Sequence, residues 1–501
     1  MSLLIAIISI IWAAGTLKLI LFWMYLWQLK DYHIGRFVDH FRTAKGKRII
    51  FSYGTQFFVW RLKKPVFTAK VIFLTGLITL VAIGYLALVV SKTHSALTVF
   101  IALLIFNVLI PVIVSVIVLA AQPFFIRARN KILQKAKEKI GRFSTLKVIA
   151  ITGSYGKTST KEFLSTILSE KFKVLATPDH KNSEIGIAQT ILQELNSSHE
   201  IFIVEMGAYN KGGIQLLCDM VHPDMGIVTG VNEQHLATFG SLENLLSAEG
   251  GRELLENLPG KGLLIVNGEN KYCVDLYKRA KIDKKIYAIS KEKIDADMWA
   301  EEVSLHLESF DFVARAKTGE LAHLHVGVLG KQHVQNVLGA VLAARAMGMG
   351  TDQIAHGVNR ITQKQGGMSL KKGVHGITVI DSSYSANPDG VAADLEYLSI
   401  FPGKKVIVIP CLIELGAKSI EAHIQIGKKI AEVCDLAIIT TKDKFEEIRN
   451  GAIMNGMDVK NIMFCENSKE IMAIIGAHCK VGDAVLLEGR VPGELIRLLN
   501  G

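Results

Sequence analysis

The sequence predicts an all-α, membrane-spanning N-terminal third followed by α/β domains built on parallel sheets. Three observations carry that prediction. Half of the 501 residues are hydrophobic, 21% are charged and the mean hydropathy is +0.32, too apolar for a disordered chain and high for a purely soluble one. Residues 1–147 hold 20 Lys and Arg against 3 Asp and Glu, while the remainder holds 37 against 43, so the basic character lies in the apolar third. From Lys147 onward, short β-branched runs alternate with helical patterns, the texture of strands and crossover helices. The length favours two or three domains, which we place at residues 1–145, 146–360 and 361–501.

A spanning helix needs about 20 apolar residues. Ser2–Leu29, Val71–Ser91 and Ser95–Ile126 all qualify, with Lys18 inside the first and Asn107 and Pro111 interrupting the third. Nine basic residues fall between Lys30 and Lys64, against Lys92 alone between the second and third stretches. Positive charge favours the cytoplasmic side, so the expectation is a multi-pass protein of the inner or cytoplasmic membrane with its later domains cytoplasmic. The first apolar run lacks a basic leader and is too long for a signal peptide. A charge within a span costs roughly 3 kcal/mol on insertion scales; Lys18 therefore either snorkels or contacts a lipid headgroup or phosphate. Residues 127–143 alternate Arg and Lys with Ile132, Leu133, Ala136, Ile140 and Phe143 at helical spacing, which predicts a basic amphipathic helix on the membrane surface or a solvated linker helix. This charge pattern suits membrane lipid as a partner and argues against a nucleic-acid groove. None of the six cysteines shows a C-x-x-C spacing, and they read as reduced core residues.

The segment KVIAITGSYGKTSTKEFL reads as strand, glycine turn and helix, which turns backbone N–H groups and a helix N-terminus toward a phosphate chain. Gly153, Ser154 and Gly156 form the turn, Lys157 reaches the β- and γ-phosphates, and Thr158, followed by Ser159, offers a hydroxyl to Mg²⁺. Ile151 stands where the common eight-residue phosphate loop has its first glycine. The shortened form, T-G-S-x-G-K-T-[ST]-T, resembles the loop of the Mur ligases, ATP-dependent amide ligases that assemble the peptidoglycan stem peptide. Further matches follow in order: TPDHKNSEIGIAQTIL, IVEMGAYNKGGI and VTGVNEQHLATFGSLENL, then GKQHVQNVLGAVLAARAMG, VIDSSYSANPDG and IELGAKSIEAHIQIG. The last two point to the F-type branch, whose members join D-alanyl-D-alanine to a UDP-N-acetylmuramoyl-tripeptide.

The resemblance implies a central phosphate-loop ATPase domain and a C-terminal Rossmann-like domain. Its chemistry is transfer of the ATP γ-phosphate to a carboxylate, giving an acyl phosphate that an amine attacks. The resemblance places Mg²⁺ on Thr158, Glu205 and His235, and makes Lys157, Glu205, His235 and Asp381 catalytic. Glu205 also ends a strand, where α/β sheets bind ligands. Adenine contacts are implied for Asn267, His333 and Asn336, although as isolated residues the asparagines fit turn or cap roles equally well. Asn182, Tyr384, Asn387, Glu414 and His423 are implied on the substrate side.

Four departures bear on substrate. Where the family has A-K-x-E with a carbamylated lysine, this chain reads SAEGGRELL, and Glu249 is the nearest carboxylate. An interdomain arginine becomes Gly367, leaving Lys364 and Arg360 as alternatives. A lysine near the C-terminus becomes Glu488, which in an amine pocket alters specificity. Finally, three apolar stretches stand where the family has a soluble domain for the UDP-linked sugar. A ligase held at the bilayer gains effective concentration toward an acceptor held there too, so the expected acceptor is a cell-wall precursor linked to a polyprenyl lipid, the alternative being a soluble acceptor with the helices as a plain anchor; an amino acid or dipeptide is the expected amine. A membrane-associated ligase of poly-γ-glutamate type and a non-catalytic membrane scaffold are the alternatives. No L-S-G-G-Q transporter signature occurs.

Overall fold

The computed structural model describes residues 3–30, 32–41, 44–51, 63–179, 181–233, 236–290, 292, 294–383, 386–413, 415 and 418–500. It divides into two compact units, Met1–Lys131 and Ile132–Gly501. The first holds helices Leu3–Leu29 and Ala69–Lys92 and helix Ala96–Ile140 as far as Lys131, all three long and apolar enough to cross a membrane. On the first of these, Trp12, Thr16, Leu19, Trp23 and Trp27 face inward at three- and four-residue spacing, while Leu3, Ile7, Ile10 and Ile11 are exposed. Asn107 does not stand alone in the span: Thr16 Oγ1 donates to its Oδ1 at 2.8 Å. Trp12 Nε1 likewise donates to Leu103 O at 2.9 Å. In a medium without water, such partners remove the cost of an unpaired polar group. Much of the basic loop, including residues 52–62, lies outside the described residues.

Two expectations for this region are corrected. The third stretch is not interrupted, because one helix of 45 residues runs through both Pro111 and Pro123. Nor does its basic end present an apolar face to lipid. Leu133, Ala136 and Ile140 are buried in the core of the second unit with Ile187 and Ile191, and Lys139 Nζ donates to Leu192 O at 3.0 Å. A helical stripe states only that one face is apolar; here the protein's own core covers it.

The second unit holds two sheets. The first strands are β1 (Lys147–Thr152), β2 (Val174–Ala176), β3 (Ile201–Glu205), β4 (Met225–Val228), β5 (Leu263–Asn267), β6 (Asp283–Ala288), β7 (Met298–Leu305), β8 (Phe310–Ala316) and β9 (Leu321–Val326). They run in the order β2-β3-β1-β4-β5-β6-β7-β8-β9, parallel as far as β7 and antiparallel beyond it. Ile149 and Ile151 of β1 join one core and Val148 and Ala150 the other, as expected for parallel strands buried on both faces. The second sheet contains β10 (Ser369–Lys372), β11 (Thr378–Ser382), β12 (Lys405–Ile409), β13 (Leu436–Ile439), β14 (Ile462–Phe464) and β15 (Ala484–Glu488), in the order β10-β11-β15-β12-β13-β14 with only β10 antiparallel. This doubly wound arrangement is the predicted Rossmann-like domain.

Candidate functional site

The carboxyl ends of β1, β3, β4 and β5 lie side by side in the first sheet, and the candidate site is built there. After β1 the chain turns through Gly153 (φ 137°) and Gly156 (φ 77°) into helix Lys157–Leu168. Both glycines are required. A Cβ at Gly153 would lie 2.4 Å from Thr229 Oγ1, and one at Gly156 2.6 Å from Asn336 Oδ1. Gly156 caps the helix without a side-chain hydrogen bond, so the first-turn N–H groups point outward in the manner of an anion cradle. Lys157 Nζ lies on the Gly153 carbonyl, at the mouth of this turn. Ser159 follows within the first helical turn.

Two carboxylates meet the loop from behind. Glu205, at the end of β3 and 1% exposed, accepts from Thr158 Oγ1 at 3.1 Å and from Asn182 Nδ2 at 2.9 Å, both through Oε1. Its Oε2 is buried and makes no hydrogen bond; the nearest cation is Lys161 Nζ at 3.5 Å. Glu249, 3% exposed, accepts from Ser154 Oγ at 2.7 Å through Oε2. A hydroxyl, an orphaned carboxylate oxygen and a second carboxylate are hard oxygen donors, and they suit Mg²⁺. Among the described residues no group of three or more His, Cys, Asp and Glu could hold a metal, and His235, the remaining expected ligand, lies outside them.

The adenine-side residues divide. Asn336 lies against the loop: its Oδ1 is 3.5 Å from Thr160 Oγ1 and its Nδ2 3.3 Å from His333 Nδ1. Asn267 departs from the expectation of a base contact. It is fully buried, donates through Nδ2 to Thr229 O (2.8 Å) and Gln335 Oε1 (2.7 Å), and accepts the Glu269 N–H at 2.9 Å. One bond joins the ends of β4 and β5, one reaches Gln335 in helix His333–Ala346 and one closes the turn after β5, so in this structure its amide serves the frame of the site.

In the C-terminal domain, Asp381 pairs with Lys371 at 2.7 Å and accepts from Ser383 Oγ at 2.6 Å. Burial pushes its carboxyl up, but the Lys371 and Ser383 bonds outweigh that and hold it below the ordinary value. Asn387 caps helix Pro388–Ser399, accepting from the Gly390 N–H at 3.0 Å. Tyr384 and Glu414 lie outside the described residues. His423 is corrected from a substrate contact to a support: it is fully buried, Nε2 accepts the Leu412 N–H at 2.9 Å, and Nδ1 faces Ser419 O. Burial holds it below its usual value, as a neutral ring shared between two backbone groups requires. Glu488 is likewise buried, 1% exposed, against Asp394. Arg360 is committed to Glu170.

Several participants were missed in the sequence. Tyr155 packs over Gly230, where a Cβ would lie 2.3 Å from its ring, and its hydroxyl accepts from Asn270 at 3.3 Å. Lys161, inside the nucleotide-loop helix, is fully buried. A cleft of about 580 Å³ separates the central and C-terminal domains, lined by Glu233, Asn270 and Tyr272 on one side and Pro388, Lys418 and Gln425 on the other. Lys418 Nζ crosses it to Glu233 Oε1 at 2.9 Å.

Fold and site define the class: a phosphate-loop α/β domain joined across a cleft to a Rossmann-like domain. Residues 151–344 match the Mur ligase middle domain, and residues 367–491 match the Mur ligase, glutamate ligase domain. The chain belongs to the Mur ligase family. It is 30% identical to a UDP-N-acetylmuramoyl-tripeptide–D-alanyl-D-alanine ligase of Mycobacterium bovis, over 70% of this chain and 69% of that one. To the enzyme of the same name from Escherichia coli it is 28% identical, over 56% of this chain and 61% of that one. Among solved structures, MurF from Acinetobacter baumannii superposes with a TM-score of 0.65 at 25% identity, covering 74% of this chain and 79% of that one. The MurF ligase of Thermotoga maritima in complex with ADP gives 0.64 at 25% identity, covering 74% and 83%.

Proposed function

We propose that this chain is an ATP-dependent, ADP-forming ligase of cell-wall precursor synthesis that adds D-alanyl-D-alanine, or a similar amine, to the carboxylate of a muramyl-peptide acceptor. The observation that carries the reading is the meeting of Ser154 with Glu249 and of Thr158 with Glu205 in the Lys157 loop, at the carboxyl ends of the strands. The acceptor carboxylate attacks the γ-phosphorus, the bond to ADP breaks, and the resulting acyl phosphate is attacked by the amine. The amide C–N bond forms, phosphate leaves with the electron pair of the C–O bond, and the amine loses its proton. Most of the work is positioning and charge neutralisation. Lys157 and the helix N-terminus would hold phosphate oxygens, and Thr158, Glu205 and Glu249, with His235, would hold Mg²⁺. Bound there, Mg²⁺ supplies neutralisation of the phosphate charge. Glu249 offers directly the carboxylate that a carbamylated lysine provides in the family, without a requirement for CO₂.

The membrane unit supports the finer reading that the acceptor is lipid-linked. Three helices long and apolar enough to cross a membrane accompany the ligase unit, and a shared bilayer raises encounter between enzyme and acceptor. The test uses detergent-purified full-length chain with ATP, Mg²⁺ and D-alanyl-D-alanine, offered UDP-linked or polyprenyl-linked muramyl-tripeptide. Phosphate release and product mass from the lipid-linked acceptor alone are the expected result. Product from the UDP-linked acceptor alone reduces the helices to an anchor. Product from neither overturns the substrate assignment.

A further inference from the structure

We propose that Lys161 is a positioning residue of the phosphoryl-transfer site, keeping Oε2 of the metal-site carboxylate Glu205 charge-compensated yet free of hydrogen bonds. The inference rests on the nucleotide-dependent reading above and concerns a residue that the nucleotide loop motif does not include. Lys161 stands one helical turn beyond Lys157 and is fully buried. A buried ammonium is costly unless its hydrogens are matched. Here Nζ donates to Thr177 O at 2.8 Å and Asp179 O at 2.7 Å, and lies 3.0 Å from Glu162 Oε1. An ammonium has three hydrogens; the two carbonyls take two of them, and the Glu162 carboxylate stands beside it as an ion-pair partner. Glu205 Oε2 is next nearest, at 3.5 Å. It receives the lysine's field and makes no hydrogen bond, while Oε1 carries the bonds from Thr158 and Asn182.

The same lysine shapes the second support of Glu205. Thr177 Oγ1 accepts the Glu205 N–H at 3.0 Å, and Asp179 adopts a left-handed backbone (φ 47°), uncommon outside glycine. Lys161 holds the carbonyls of both residues. The segment they begin leads to Asn182, whose amide binds Glu205 Oε1. One side chain thus sets both oxygens of the carboxylate: Oε1 through the segment it anchors, Oε2 by proximity without a bond.

The test is Mn²⁺ binding by the full-length protein with ADP, read from the free-ion paramagnetic resonance signal and independent of acceptor and amine. Lys161→Met is expected to weaken Mn²⁺ binding by about 10–100-fold, the range for lost support of a metal ligand, with metal-free ADP binding unchanged. Glu162→Ala is expected to weaken Mn²⁺ binding several-fold at unaltered thermal stability, because the ammonium, losing its ion-pair partner, closes onto Glu205 Oε2 and competes with the cation. If Lys161→Met does not fold, Glu162→Ala alone decides. Wild-type Mn²⁺ binding in Glu162→Ala, or equal loss of ADP and Mn²⁺ binding in a folded Lys161→Met, overturns the inference while the ligase reading stands. A wild-type chain that binds no Mn²⁺ with ADP overturns both.

Discussion

Glu205 and Glu488 occupy matching places in the two sheets of the ligase unit. Each is the last residue of a wholly buried parallel strand, each is 1% exposed, and each has an Oε2 without a hydrogen bond. Their neighbours differ. Glu205 faces Thr158, Asn182 and Lys161, a hydroxyl, an amide and a cation. Glu488 faces Asp394, which is itself held by Gln332 Nε2 at 3.0 Å and by Ser382 Oγ. Burial and the Asp394 charge push the Glu488 carboxyl well above its ordinary value. Burial likewise pushes Asp394 up, against the bonds from Glu488, Ser382 and Gln332. A strand end in an α/β sheet is a place where chemistry can be installed; whether it is installed depends on donors brought by other elements.

The sharpest way to break the comparison is to neutralise both residues. Glu205→Gln is expected to lower turnover by about 10²–10³-fold, the scale of one lost electrostatic contact in a phosphoryl-transfer site, whereas Glu488→Gln should leave turnover within a few-fold. Comparable losses in phosphate-release assays would refute the distinction. Glu249→Gln should cost about 10²-fold with little change in thermal stability, since the amide still accepts from Ser154; near-normal activity would remove Glu249 from the metal set. Asn267→Ala should act on stability rather than on nucleotide affinity, lowering the unfolding free energy by about 2–4 kcal/mol as buried partners lose their bonds. A selective loss of ATP affinity in calorimetry would restore its expected adenine role.

The smallest effect is a pH slope. Because the folded chain binds the Glu488 proton more tightly than the unfolded chain, the associated stability is complete below the ordinary carboxylate value of 4.5. It is lost as pH rises through the folded value. Glu488→Gln removes that titration, so its unfolding temperature should fall less than that of the wild type as pH rises from 4.5. Parallel curves would show that Glu488 does not carry the raised proton affinity.

The nucleotide loop was legible because its requirements are local: Gly153 and Gly156 supply backbone conformations, and Lys157 and Thr158 follow at fixed offsets on one helix. Glu249 was legible by elimination, as the carboxylate nearest a missing lysine. The supporting bonds of Asn267 and His423 were not legible, because an amide or an imidazole in a familiar motif does not reveal where its hydrogen bonds go. Lys161 was passed over since a lysine in KTSTKEFL reads as a solvated helix face. Burial of its ammonium depends on carbonyls sixteen and eighteen residues away.

By itself the sequence determined three apolar helices, two α/β domains and a phosphate-binding turn, since each follows from hydrophobic period, charge asymmetry or residue chemistry within short windows. Tertiary structure alone decided which polar groups are available for chemistry. It buried the basic helix's apolar stripe in the ligase core, spent Asn267 and His423 on support, paired Glu488 with Asp394, and left one oxygen of Glu205 open. Hydrogen-bond partners and desolvation come from elements distant in sequence, and they fix what a carboxylate, amide or ammonium can do.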